Sequence, residues 1–142
     1  MTTLEPLIDD VAIIQSLMVA GLPGITIARE VHETFADMLP GVLYDLSGSN
    51  DSMVSNGPGL WDVQLIVSVM AHGDSACWDA VKLVDELVCS WDMPGAGWPD
   101  VTGGVVRVER EQKFDDVYES RLLDKEVSQA DALYRLRMRI VL

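Results

Sequence analysis

One stretch, from Leu60 to Ala71, constrains the fold of this chain more than any other part of its sequence. Apolar side chains occupy every second position: Trp61, Val63, Leu65, Val67, Val69 and Ala71. The alternate positions are partly polar and include Asp62, Gln64, Ser68 and His72. This period of two predicts a strand with one face in the core and one semi-polar face.

A helix is predicted directly after this strand, because Gly73, Asp74 and Ser75 favour a helix start, with Asp74 or Ser75 as its cap. Its apolar positions recur at helical spacing: Cys77, Val81, Val84, Val88 and Trp91. The connection between the two elements is short and both have an apolar surface. We therefore expect the helix to lie over the apolar face of the strand.

Weaker patterns predict the remaining elements. A first helix ends near Gly21, and Thr2 with Glu5 has the spacing of a capping box at its start. Strands are expected over 25–32, 42–46, 105–113 and 133–142.

Two segments match neither period. Residues 47–59 are rich in Ser, Asn and Gly and are interpreted as an exposed loop, and residues 112–131 are polar and ambiguous. The order of elements predicts a single α+β domain over residues 1–142. We expect a mostly antiparallel sheet of about five strands with two helices packed on one face.

The negative charge of the chain is unevenly distributed. The net charge is -13, and residues 1–100 hold two basic against fifteen acidic side chains, whereas residues 101–142 hold eight of each. The whole excess therefore lies in the first hundred residues. Such an acidic body repels nucleic acid phosphates, which excludes a conventional DNA-binding protein. The other interpretation is that the negative charge serves only to keep the protein soluble.

The sequence also bears on the compartment. It has no apolar run approaching eighteen residues, and no basic segment leads into an apolar one at its start, so we expect neither a membrane span nor a secretory signal. Cys77 and Cys89 are about 18 Å apart along the predicted helix and cannot pair within it. This favours synthesis in a reducing cytoplasm.

No motif in the sequence indicates catalysis or a bound cofactor. His32 and His72 stand alone and the cysteines are far apart, which argues against zinc. The glycines near 57–59 and 95–97 lack the partners of a phosphate-binding loop. We therefore expect no enzyme, no metal and no cofactor.

The candidate functional residues form a surface. Arg135, Arg137 and Arg139 are two residues apart, hence on one face about 7 Å apart, and Arg107 on a neighbouring strand could join them. This row is either a solvated face or a docking face for an acidic partner, which could be another copy of the chain. We add Asp62 as a candidate interface residue, and also Trp78, which lies off the apolar stripe of the second predicted helix.

The order of elements resembles the tail terminator proteins of long-tailed phages, also called tail completion or minor tail proteins. The resemblance rests on the helix around Asp9–Met18, on Leu22-Pro23-Gly24 and Leu39-Pro40-Gly41-Val42 before strands, and on Leu60-Trp61-Asp62-Val63 opening the long strand. The helix over 76–91 and the closing strand over 134–142 complete it. It covers most of the chain, except residues 112–131.

The resemblance implies a homo-hexameric ring that stops polymerisation of the tail tube and joins the head-tail connector. Its implied partners are the major tail tube protein, the connector and DNA passing through the lumen without specific binding; its implied location is the tail-neck junction of the virion. A domain of 142 residues approximates a sphere about 37 Å across. Six such spheres touching in a ring leave a central hole about as wide as one subunit, whereas three leave a hole of about 5 Å. Six subunits could therefore pass a duplex.

The long loop is the candidate for contact with the tail tube, through Asn50, Asp51, Met53, Val54 and Asn56. A hairpin connection without function is the other interpretation of this loop. Alternatives for the whole chain are another neck protein, such as a connector or head-closure protein, and a small-molecule or peptide-binding α+β module.

Overall fold

The computed structural model describes residues 10–31, 34–48, 60–99, 103–120 and 127–140, without the side chains of Gly48, Trp61 and Ile140. Two α-helices span Asp10–Gly21 (α1) and Asp74–Ser90 (α2). Six strands follow in chain order: Thr26–Ala28 (β1), Gly41–Gly48 (β2), Leu60–His72 (β3), Gly103–Gln112 (β4), Tyr118–Glu119 (β5) and Val127–Ile140 (β6). A 3₁₀ helix spans Phe35–Met38 between β1 and β2.

The strands form one mixed sheet in the order β1-β2-β3-β6-β4, with β5 paired to β6. The short β1 runs parallel to β2, and every other pair is antiparallel. The long strands β3 and β6 pair along their whole length at the centre, from Leu60 opposite Arg139 to His72 opposite Val127. The expected α+β class is confirmed, with six strands where about five were expected.

Both helices cover one face of this sheet. Val63, Leu65, Val67, Val69 and Ala71 of β3 are all buried, as the period of two predicts. They pack in one apolar cluster with Ile14 and Met18 of α1 and with the predicted apolar stripe of α2. The opposite face, which we call the open face, carries the alternate residues of β3 and β6.

One end of the open face is covered. Phe35 of the 3₁₀ helix packs there against Met70 and Val127, and all three side chains are buried. The outer edge of β4 is also protected, because its amides at Val105 and Val108 donate to the Gly97 carbonyl at 2.9 Å and to Asp92 Oδ1 at 2.8 Å. Such contacts blunt an edge strand against pairing with other chains.

Several boundaries differ from the expectations. The strand expected over 25–32 is only three residues long, because the chain bends at Arg29 and Glu30. Ser47 and Gly48, expected in the loop, extend β2 and pair with β3. The closing strand begins at Val127, six residues earlier than the pattern predicts.

The expected cap of α2 was wrong. Gly73, with φ of 97°, occupies the cap position and makes no side-chain hydrogen bond there. Asp74 is instead the first helical residue, where a negative charge is favoured by the helix dipole. Its carboxylate accepts a hydrogen bond from the Ser128 hydroxyl at 2.5 Å, which ties α2 to β6.

Candidate interaction surface on the open face

The open face brings five of the predicted interface residues together. Arg137 of β6 lies directly between Asp62 of β3 and Arg107 of β4, its Cα partners in the two neighbouring strands. Arg135 and Arg139 lie two residues to either side of Arg137 on the same face. The expected juxtaposition of Arg107 with the arginines of the last strand is therefore confirmed.

Acidic side chains of the same face neutralise most of these arginines. Arg137 Nε is 3.0 Å from Asp62 Oδ1, a hydrogen bond that raises the pKa of Arg137. A guanidinium nitrogen of Arg107 is 2.9 Å from Glu109 Oε1, and Arg135 Nε is 2.7 Å from Glu111 Oε1. We call this set the arginine strip: Asp62, Arg107, Glu109, Glu111, Arg135, Arg137 and Arg139.

Glu109 and Glu111 are members that the sequence reasoning missed. They lie two and four residues after Arg107 and therefore on the same face of the strand. This period of two over 107–111 was the signal that could have identified them. A β-bulge at Val106 hides the pattern, because Val105 faces the core whereas Arg107, two residues later, faces the other way.

An apolar pair lies beside the arginine strip. Ile66 of β3 and Leu133 of β6 are direct partners on the open face, and Ile66 is 44% exposed. Beyond them Asp131 accepts hydrogen bonds from Ser68 at 2.6 Å, from Gln129 at 2.8 Å and from the Tyr118 hydroxyl. The open face thus changes from charged through apolar to hydrogen-bonded polar along β6.

Of the remaining predicted site residues, the structure describes only Trp78. Trp78 is on α2, half-buried against the core cluster and therefore on the helix side of the sheet, away from the arginine strip. The predicted tube-contact residues Asn50, Asp51, Met53, Val54 and Asn56 fall outside the described residues.

A second polar cluster, not predicted from the sequence, joins α2 to the sheet. Arg110 of β4 donates two hydrogen bonds to the Asp85 carboxylate, from Nε at 3.0 Å and from a terminal guanidinium nitrogen at 2.7 Å. The hydroxyl of the fully buried Tyr134 donates to Asp85 Oδ1 at 2.7 Å. The Arg110 hydrogen bonds lower the pKa of Asp85, and burial raises that of Tyr134. This cluster ties α2 to β4 and β6.

Both cysteines are free thiols. Burial raises the pKa of Cys77 to about 11, and the thiol lies 3.5 Å from the Val69 carbonyl oxygen. Burial is also the main cause that raises the pKa of Cys89, followed by the charge of Asp85. Because the thiolate is the reactive form, both thiols should be inert at neutral pH.

We expect Cys77 in a Cys89→Ser variant to react with a disulfide reagent at pH 8 at least about a hundredfold more slowly in the native protein than in denaturant. The reaction can be followed by absorbance. Native and unfolded rates within tenfold of each other would contradict the burial of this thiol.

An open cleft of about 740 Å³ lies at the far end of the sheet, lined by His72, Gly73, Asp74, Val117, Tyr118, Glu119, Val127 and Ser128. Two of its polar groups are engaged with each other, namely Ser128 with Asp74. Within the described residues, no three His, Cys, Asp or Glu side chains are placed to hold a metal. No helix in the described part of the chain is long and apolar enough to cross a membrane.

Comparison with known proteins gives a likeness of fold. No protein-family profile matches the chain, and no curated protein matches it in sequence. Among solved structures, it is similar to a chain of the "Virion of native gene transfer agent (GTA) particle". The two chains are 15% identical, with a TM-score of 0.50, and the match covers 92% of this chain and 93% of the other.

Proposed function

We propose that this chain is a structural protein of a phage-like virion and acts as a tail terminator. The observation that carries the proposal is the shared fold with a chain of a gene transfer agent virion, over nearly the full length of both chains. The resemblance of its element order to tail terminators supports the finer assignment. The chain would form a ring at the tail-neck junction between the tail tube protein and the head-tail connector.

The charge of the chain suits such a ring. Six copies at -13 each would surround a lumen that repels DNA, so the duplex would pass without binding. The same charge makes the copies repel one another. A contact between copies therefore needs surfaces on which this repulsion is relieved, and the open face with its arginines is such a surface.

Ring formation should depend on salt in two opposite ways. At 0.01 M salt the screening length is about 30 Å, so whole subunits repel one another. Near 0.15 M salt the length is about 8 Å, and this long-range repulsion is screened. At 1 M salt it is about 3 Å, and close ion pairs weaken as well. We expect the fraction of rings to rise and then fall over this range. Sedimentation velocity measures the fraction, and native mass spectrometry counts the 15.6 kDa copies. A chain that stays monomeric at every salt and protein concentration would contradict the proposal that it forms a ring.

Tail morphology tests the terminator role itself. Without this protein, electron microscopy should show overlong tails, because nothing stops growth of the tube. A connector or head-closure protein would instead leave tails of normal length that lack heads. Normal tails joined to heads would contradict both neck roles.

A binding module is the second candidate, and the cleft beside His72 is the observation that favours it. Such a module would carry a ligand in this cleft and have no need of a ring. A monomeric chain whose His72 and Glu119 amide resonances shift on addition of peptides or metabolites would favour this candidate over the virion role.

A further inference from the structure

The outer surface of α2 carries a short stripe of exposed side chains that points away from the sheet. Asp79, Leu83 and Glu86 are spaced four and three residues apart, which places them on one side of the helix. All three are exposed, Leu83 to 54%. Among the described residues, neither acid forms an ion pair. We call these three residues the α2 stripe.

The opposite side of the molecule has the matching features. Ile66 is exposed beside the arginine strip, and Arg139 at the end of the strip forms no ion pair with another described residue. The strip holds four arginines against three acids, hence a charge of +1 in a chain of -13. It is therefore a place where an acidic copy of the chain can approach with reduced repulsion.

The geometry points to a head-to-tail contact in which the arginine strip and Ile66 of one copy bind the α2 stripe of the next copy. This inference rests on the proposed ring and names the two surfaces that build it. The two surfaces lie on opposite sides of the sheet, so one copy can use both at once. A contact between unlike surfaces leaves one of each unfilled until a ring closes.

The chemistry of the two surfaces fits an interface. Leu83 and Ile66 would form an apolar centre, with charged side chains around it, as in ordinary protein interfaces. The ion pairs within the strip are exposed, and such pairs contribute little to stability. A guanidinium has five N–H donors, so Arg107 and Arg135 can bind Asp79 and Glu86 of the next copy while they still contact Glu109 and Glu111.

Two double variants test this contact. The strip variant carries Ile66→Glu and Arg139→Glu, and the stripe variant carries Asp79→Lys and Glu86→Lys. Each should be monomeric where the wild type forms rings, because every contact would then place like charges together. Matched controls are Val31→Glu with Lys113→Glu for the strip and Glu30→Lys with Asp37→Lys for the stripe. All are exposed positions outside both surfaces, and each control changes the charge by as much as the variant it matches. The controls should assemble as the wild type does.

Mixing the two variants gives the decisive readout. The intact α2 stripe of the strip variant can bind the intact strip of the stripe variant. The two altered surfaces, acidic in the strip variant and basic in the stripe variant, also carry opposite charges. In native mass spectrometry we expect the mixture to give species that hold equal numbers of the two variants, dimers or larger, and each variant alone to give monomers, with unchanged circular dichroism for both.

The outcomes separate this inference from the proposed function. Wild-type rings that persist in both variants overturn the contact and leave the ring proposal standing. Variants that lose the ring but give no mixed species when they are combined also overturn it, since the surfaces then do not face each other. A wild type that is monomeric under all conditions overturns the ring and the contact together.

Discussion

Asp85→Ala should lower the free energy of unfolding by about 2–3 kcal/mol, because it leaves the buried Tyr134 hydroxyl without its acceptor and removes a two-point ion pair with Arg110. Denaturant titration followed by tryptophan fluorescence measures the loss. Asp115→Ala is the control outside both proposed contact surfaces, where an exposed acid without an ion pair to a described residue should change stability by less than about 0.5 kcal/mol. Equal losses in the two variants would contradict the role of the cluster.

The contribution of Asp85 should also depend on pH. Hydrogen bonds from Arg110 hold the pKa of Asp85 below its ordinary value, so the unfolded chain takes up the proton first as the pH falls. The stabilisation is complete above the unfolded pKa of about 3.9 and is lost as the pH falls through the lower folded value. The gap in stability between wild type and Asp85→Asn should be widest near pH 7 and shrink below pH 4. A difference in stability that stays constant or widens in acid would show that the charge of Asp85 does not stabilise the folded protein.

Gly104→Ala should cost about 2–3 kcal/mol through steric overlap. A Cβ at this position would lie 2.7 Å from the Trp98 Cα and closer still to the Gly97 carbonyl oxygen. Both are backbone atoms of the loop that covers the edge of β4, and Gly97 also accepts the Val105 amide at 2.9 Å. The overlap can be relieved only by moving this loop away from the strand.

Gly21→Ala is the control for this prediction, because the nearest atoms to the added Cβ would there belong to the Leu87 side chain, with Cδ2 at 2.7 Å and Cδ1 closer still. That side chain can rotate, and alanine favours a helix over glycine by up to about 1 kcal/mol, so the net change should stay within about 1 kcal/mol. Denaturant midpoints give both values. A smaller loss in Gly104→Ala than in Gly21→Ala would contradict the close packing of the loop on β4.

Local periodicity determined much of this protein from the sequence alone. The buried face of β3, the apolar stripe of α2 and the common face of Arg135, Arg137 and Arg139 all follow from side-chain direction within one element. These features need no knowledge of the neighbouring elements, and the structure reproduces each of them. Pairing Arg107 with this face required that its strand lie next to the last one and that the bulge at Val106 turn Arg107 away from the core.

Tertiary contacts decided the start of β6. Ser128 and Gln129 are polar yet buried, and they are satisfied by Asp74 and Ser120 from distant parts of the chain. A polar residue can be buried only where such partners exist, and the partners are invisible to a local pattern. The segment was therefore ambiguous in the sequence, because the other half of each hydrogen bond is supplied by the fold.

The charge of the open face was decided in the same way. Read along the chain, Arg135, Arg137 and Arg139 are a basic row, but Glu111 and Asp62 from two other strands neutralise the first two. Which acid meets which arginine depends on strand order and on a bulge in β4, because ion pairs act through space over a few ångströms. Side-chain direction is a local property of the sequence, whereas the partner of each side chain is set by the fold.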